Sequence, residues 1–329
     1  MSSKPQITSS ELGSLWLTYQ EKTMYLRMLE YFIEKADDET TKEIMTNLHQ
    51  EFSTYVEKIT DTLRQEGAVI PIGYTEEDVN KEVPKLYDNG FDIMFIRLLN
   101  EISMGLHALN ITMVFREDIV MLFKELTEIA QRYYNICTQY LLEKGLLVKS
   151  PYVSMPKSVQ FAKDTSYLGG LSINPFSEKR SLNTVEVAHI HHAIESNLLG
   201  FQLMTGFAQC AKEEDIINYF DEGASLARSI VKKLSDILLQ SSIQTPQTAG
   251  GNVTHSTLAP FSEKLMMYCT SLLCSFSMGS GSLGTAFSLR NDLPANMSVF
   301  LKDIFEYAHK GAKLMIKKGW LEEPPQMSE

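Results

Sequence analysis

The chain has 329 residues, enough for two domains with a core each, and 41 acidic against 30 basic residues give it a formal net charge of -11. That charge argues against a general affinity for nucleic-acid phosphates or anionic lipid. Cys137, Cys210, Cys269 and Cys274 lack C-x-x-C spacing and read as reduced core residues of a cytoplasmic protein, and the polar Met1 to Gln6 start lacks the apolar core of a secretory signal.

The first element opens at Thr8-Ser9-Ser10-Glu11, which has the spacing of a capping box. From there Leu12, Leu15, Tyr19, Leu26, Leu29 and Ile33 recur at helical intervals. A short acidic turn at Asp37-Asp38 leads to a second helix carrying Ile44, Leu48, Phe52, Tyr55, Ile59 and Leu63. Residues 67–85 follow as a long connection that, extended, reaches about 60 Å and can return along a whole bundle. A third stretch, Leu86 to Phe115, is apolar on more than one side. The fourth helix, with Ile119, Leu122, Leu126, Ile129, Tyr133 and Ile136, reads as capped by Asp118 and stopped at Lys144-Gly145. Neither half contains alternating β-branched runs, so almost no sheet is expected.

Residues 151–181 contain Pro156, Gly169, Gly170 and Pro175 with no helical period, but also Phe161, Tyr167, Leu171 and Phe176, and read as an ordered linker packed on a bundle. The sequence then repeats. A shift of 175 residues pairs Glu11 with Glu186, Phe32 with Phe207, Lys58 with Lys233, Asp61 with Asp236 and Gln65 with Gln240. A shift of 174 then pairs Leu98 with Leu272, Ser103 with Ser277, Gly105 with Gly279, Arg116 with Arg290, Asp118 with Asp292 and Gly145 with Gly319. The chain is therefore read as all-α, with a four-helix bundle in residues 1–150, the linker, and a second bundle in 182–329. A single long crossover between the second and third helix of each bundle is the ferritin-like arrangement. Leu265 to Leu289 carries no charge and is long enough to span a bilayer, but its serines, threonines and charged counterpart (Asp92, Arg97, Glu101) argue for a buried helix.

Several segments resemble a known family: Thr8 to Trp16, Pro260-Phe261-Ser262-Glu263-Lys264-Leu265-Met266-Met267, Ser288-Leu289-Arg290-Asn291-Asp292-Leu293, and the ending Lys318-Gly319-Trp320-Leu321-Glu322-Glu323-Pro324-Pro325. Together with the duplication they are similar to domain-of-unknown-function family 3231 of spore-forming bacilli. The resemblance covers nearly the whole chain. It implies a ferritin-like fold related to spore coat proteins and supplies no catalytic residues.

A ferritin-like bundle raises the question of a di-metal centre, which needs inward Glu and Glu-x-x-His groups on facing helices. Glu186-Val187-Ala188-His189 and Glu306-Tyr307-Ala308-His309 have the spacing, but both sets fall about 140 to 150° from the apolar face of their helices. His189, His191 and His192 form the densest histidine cluster; His191 sits at the edge of the stripe, opposite Trp16 of the first half, and the other two read as exposed. Gly279-Ser280-Gly281-Ser282-Leu283-Gly284 satisfies G-x-G-x-x-G, but helical flanks make it a small-residue seam. Lys58, Asp61 and Gln65 with their counterparts lie on outer faces, and the sixteen methionines read as core filling. No catalytic residue and no cofactor emerge. The leading expectation is a non-catalytic structural or interaction protein, spore-associated, with a protein partner or self-association. The alternatives are a metal-binding oxidase or storage protein, and a binder of a small apolar ligand in a pocket beside Gly105 or Gly279.

Overall fold

The computed structural model describes residues 5–170, 179–246 and 250–327. Its helices are α1 (Ser9–Glu34), α2 (Glu39–Gln65), α3 (Phe91–Ile111) and α4 (Glu117–Glu143), then α5 (Thr184–Cys210), α6 (Glu214–Gln240), α7 (Glu263–Phe287) and α8 (Asp292–Lys317). Hairpins α1/α2 and α3/α4 stack so that α1 meets α3 and α2 meets α4, and α5 to α8 repeat this. Glu11 near the start of α1 bonds Arg116 in the turn that follows α3, and Asp38 at the start of α2 bonds Tyr140 near the end of α4, so both contacts are antiparallel. Helix α3 therefore runs parallel to α2, as the long crossover permits.

Both capping boxes form, at Thr8 with Glu11 and at Asn183 with Glu186. Helices α4 and α8 stop where Gly145 and Gly319 take positive φ of 69° and 70°, conformations open to glycine at little cost. Three boundaries differ from expectation. Helix α3 begins at Phe91, because Asn89 and Gly90 both take left-handed angles that break the helix before it. Asp118 and Asp292 are not the caps; Arg116 and Asn291 hold those positions. Instead each Asp carboxylate receives the fork of a neighbouring arginine, Nε at 2.8 Å and Nη2 at 3.1 Å in both halves.

The repeated arginines have a partner in the repeated glutamates. Glu11 accepts the backbone N–H of Phe115 (2.9 Å) and Arg116 (2.7 Å), and Glu186 accepts those of Leu289 (3.2 Å) and Arg290 (3.0 Å). Burial raises the pKa of both carboxyls, but these donors, joined at Glu186 by Arg180, outweigh it and hold each at about 2. A folded pKa below the unfolded value near 4.5 contributes stability that is present above that value and lost as pH falls toward 2. Hydrogen bonds to a charged group such as each of these carboxylates contribute on the order of 1.5 to 3 kcal/mol. Exchanging both for glutamine is expected to lower the urea midpoint at neutral pH and to flatten its decline in acid; an unchanged acid slope would count against the clamp.

The bundles share one apolar core. Inner helices contact across the middle, α1 with α7 and α3 with α5, while the two crossovers pair as β1 (Tyr87–Asp88) and β2 (Asn252–Val253), antiparallel. Each crossover also inserts an aromatic ring into the other bundle. Tyr87 reaches α5, donating to the Leu203 carbonyl at 2.8 Å, and Phe261 reaches α1, with its ring 5.3 Å from Tyr31 and 6.1 Å from Phe32. Gly206 stands where the repeat has Tyr31, and a Cβ there would lie 2.5 Å from Tyr87. The shared interface explains the sequence pattern. Helices α2, α4, α6 and α8 are amphipathic because one side faces water, whereas α1 is buried over most of its circumference, polar residues included.

The linker is packed less than expected. Phe161 is 87% exposed and Tyr152 93%, while Tyr167 docks under the Arg180 guanidinium and Leu168 accepts a backbone bond from Asn291. Leu171, Pro175 and Phe176 lie outside the described residues.

Candidate functional site

The first bundle carries an ionised cluster at mid-height. Lys22 and Glu21 are both buried; Lys22 Nζ donates to Glu21 Oε1 (3.1 Å) and Ser103 Oγ (3.0 Å) and lies 3.8 Å over the Phe52 ring. Ser103 Oγ donates to Glu21 Oε1 at 2.5 Å. Burial opposes ionisation of Glu21, yet Lys22, His107 and Ser103 hold its pKa at about 2. Burial and the Lys22 charge push His107 down to about 4, so its imidazole is neutral at pH 7.

The second bundle has none of this bulk. By the repeat, Lys22, Tyr25, Phe52 and Asn100 correspond to Asn197, Gly200, Ala227 and Cys274. Exchanging a lysine and two aromatic rings for small side chains leaves unfilled space that a close-packed core does not normally contain. A half-open cleft of about 70 Å³ occupies this level, lined by Gly200, Ala227, Ile230, Leu273, Phe276 and Tyr307. It adjoins a second hollow of about 50 Å³ beside Gly281, sharing Ser196, Asn197 and Ser277. The walls are mainly apolar. Polar groups are few: Ser196 Oγ is committed to the His192 carbonyl (3.0 Å), and Asn197 Nδ2 to that of Ala193 (2.8 Å), which leaves the Asn197 carbonyl oxygen without a partner among the described residues.

Nothing in this lining ionises readily. Burial pushes the Cys274 thiol up to about 12, and Tyr307 is shifted far upward by burial and by Tyr219, on which it stacks at 4.3 Å.

The metal candidates from the sequence do not meet. Glu186 is the backbone clamp and pairs with Arg180 at 2.7 Å. His191 is buried, with Nε2 unpartnered, and burial lowers its pKa. Glu306 and His309 face outward as expected, Glu306 beside Lys302 and His309 stacked on Phe305. His189 and His192 are not exposed as read from the sequence, because the partner helices that cover them come from elsewhere in the chain. His189 stacks on Phe287 of α7, and His192 pairs with Glu101 of α3, whose carboxylate raises its pKa. Among the described residues no three His, Cys, Asp or Glu side chains are grouped to hold a metal ion. Gly281 and Gly284 do form a seam, admitting Leu301 and His189 within van der Waals reach. Sequence reading overlooked the Lys22 cluster. Its signal was present, since Lys22 falls midway between Leu15 and Leu29 at intervals of seven, a charge inside the apolar stripe.

A profile of the family described as "Protein of unknown function (DUF3231)" matches residues 1–159 and again 171–329. The chain belongs to the DUF3231 family. Its two family units coincide with the two bundles. No curated protein matches the chain. A crystal structure described as that of a "putative spore coat protein" from Bacillus halodurans C-125 matches at 21% identity, covering 46% of this chain and 98% of that one, with a TM-score of 0.44. Among the described residues no helix is long and apolar enough to cross a membrane, α7 with its charge-free stretch from Leu265 onward included.

Proposed function

We propose that this DUF3231 protein is a non-catalytic binding protein, a duplicated ferritin-like scaffold whose second bundle receives a small, largely apolar ligand. The observation that carries this reading is the cleft at the level where the first bundle is filled by Lys22, Tyr25 and Phe52. One copy of the repeat is packed and ionised at that level, and the other is hollow. The cleft and the adjoining hollow together approach the roughly 150 Å³ of an apolar cavity that holds benzene. The free Asn197 carbonyl favours a ligand with one hydroxyl or N–H donor.

Phenol is a suitable probe. Titration calorimetry is expected to show saturable binding to the wild type and none to Ala227→Phe, which restores the ring present at Phe52 in the first bundle. Equal binding by both proteins, or by neither, would remove the cleft from consideration. The family resemblance supports a spore-associated setting, and a fluorescent fusion distributed evenly through sporulating cells would speak against that part of the reading.

A further inference from the structure

The two hollows of the second bundle form one channel along its axis. They share Ser196 and Asn197 of α5, Ile230 of α6, Ser277 of α7 and Ile304 of α8, so their joint lies among all four helices. From this joint the larger hollow runs toward Met204 and Tyr307, and the smaller toward Ala193 and Gly281. Residues 193 to 204 cover about 16 Å of α5 at roughly 1.5 Å each, so the space is long for its volume.

The repeat shows what the joint lacks. Ser196, Asn197 and Ser277 stand where the first bundle has Glu21, Lys22 and Ser103, and Gly281 stands where it has His107. In the first bundle these groups satisfy one another, Lys22 Nζ donating to Glu21 and Ser103, and Ser103 Oγ donating to Glu21. The second bundle has lost the carboxylate and the ammonium, and their neutral replacements do not rebuild the bonding. Ser196 Oγ is turned to the His192 carbonyl, Asn197 Nδ2 to that of Ala193, and Ser280 Oγ meets Ser277 through its carbonyl and not its hydroxyl. Asn197 Oδ1 is left without a donor, and Ser277 Oγ without an acceptor, among the described residues. A mainly apolar channel is thus interrupted at its middle by one acceptor and one donor.

We infer that the channel takes an extended aliphatic chain interrupted by one secondary amide. The amide N–H donates to Asn197 Oδ1, its carbonyl accepts from Ser277 Oγ, and an alkyl arm lies in each hollow. The amide restores, without charge, the donor and the acceptor that Lys22 and Glu21 supply to the first bundle. A ligand carboxylate or ammonium is disfavoured, because no charged side chain lines either hollow and an unpaired buried ion costs far more than an amide with both hydrogen bonds made. This ligand class presupposes that the second-bundle cleft binds a molecule at all, as proposed above.

The probe is N-propylbutanamide, with a propyl arm on each side of the amide, titrated calorimetrically beside phenol. It is expected to bind the wild type saturably, and N-methyl-N-propylbutanamide, which lacks the N–H, to bind about tenfold more weakly. Shortening the arms toward N-methylacetamide is expected to cost about fourfold in affinity for each methylene removed. Ser277→Ala removes the donor with little change of volume on a helix that tolerates alanine, and is expected to weaken the amide about tenfold while leaving phenol, which needs only the Asn197 acceptor, unchanged. Phenol binding without amide binding, equal binding of the N-methylated amide, or undiminished amide binding by Ser277→Ala would each overturn the amide assignment and leave the cleft standing. If neither phenol nor the amide binds, the cleft reading falls and the amide assignment with it.

Discussion

Replacing Lys22 with methionine is expected to destabilise the protein by about 3 to 5 kcal/mol, the range for leaving one member of a buried ion pair without its partner. Methionine matches the lysine stem, so packing against Phe52 survives and the loss is electrostatic. What is removed is the charge facing a Glu21 carboxylate that is 3% exposed. The double variant Glu21→Gln/Lys22→Met is expected to recover most of the stability, because two neutral groups leave no uncompensated charge. The pH dependence provides a second reading. In the wild type, Glu21 has a folded pKa of about 2, below the unfolded value near 4.5, so its contribution is present above 4.5 and is lost as pH falls toward 2. Without Lys22, burial dominates and raises that carboxyl above its unfolded value, so the variant gains relative stability as pH falls. Urea midpoints measured across the acid range check this. If Lys22→Met alone behaves like the double variant, the pair carries little stability.

The second large effect concerns the joint between the bundles. Tyr87→Ala is expected to cost about 3 to 5 kcal/mol, as for other buried aromatic truncations. The ring is fully enclosed, stacks on Phe91 at 4.1 Å, and fills the notch that Gly206 leaves in α5. Its removal also takes away a second donor to the Leu203 carbonyl, which α5 already engages internally, whereas Tyr87→Phe keeps the packing and loses only that hydrogen bond, about 1 kcal/mol. Because Tyr87 is a first-bundle residue lodged in the second, its loss weakens coupling as well as stability. Calorimetry is expected to show one unfolding transition for the wild type and a broadened or split one for Tyr87→Ala. A sharp single transition at an unchanged temperature would mean that the crossovers do not couple the halves.

Much of the architecture was readable in the chain because it rests on local rules. The capping boxes at Thr8 and Asn183, the glycine stops at Gly145 and Gly319, and the period of the outer helices each depend on neighbours within a few residues. The duplication was readable because both copies keep the residues that clamp their ends, Glu11 with Arg116 and Glu186 with Arg290. His192 was misplaced because helical phase says which side of a helix faces its own bundle and nothing about a second bundle, and His189 because the phase of α5 does not reveal that Phe287 at the end of α7 folds over it. Their covers, Phe287 and Glu101, lie about 90 to 100 residues away in sequence.

The sequence by itself determined eight helices, their pairing into hairpins and the twofold repeat, since these follow from periodicity, capping and loop length. Only the tertiary structure decided that the bundles share one core, that Tyr87 and Phe261 cross between them, and that both hollow regions occur where the repeat loses bulk. The physical reason is that a cavity is a sum over helices distant in sequence. Gly200, Ala227 or Gly281 alone is an ordinary small residue, and only when packing brings such positions face to face does the missing volume become a place for another molecule.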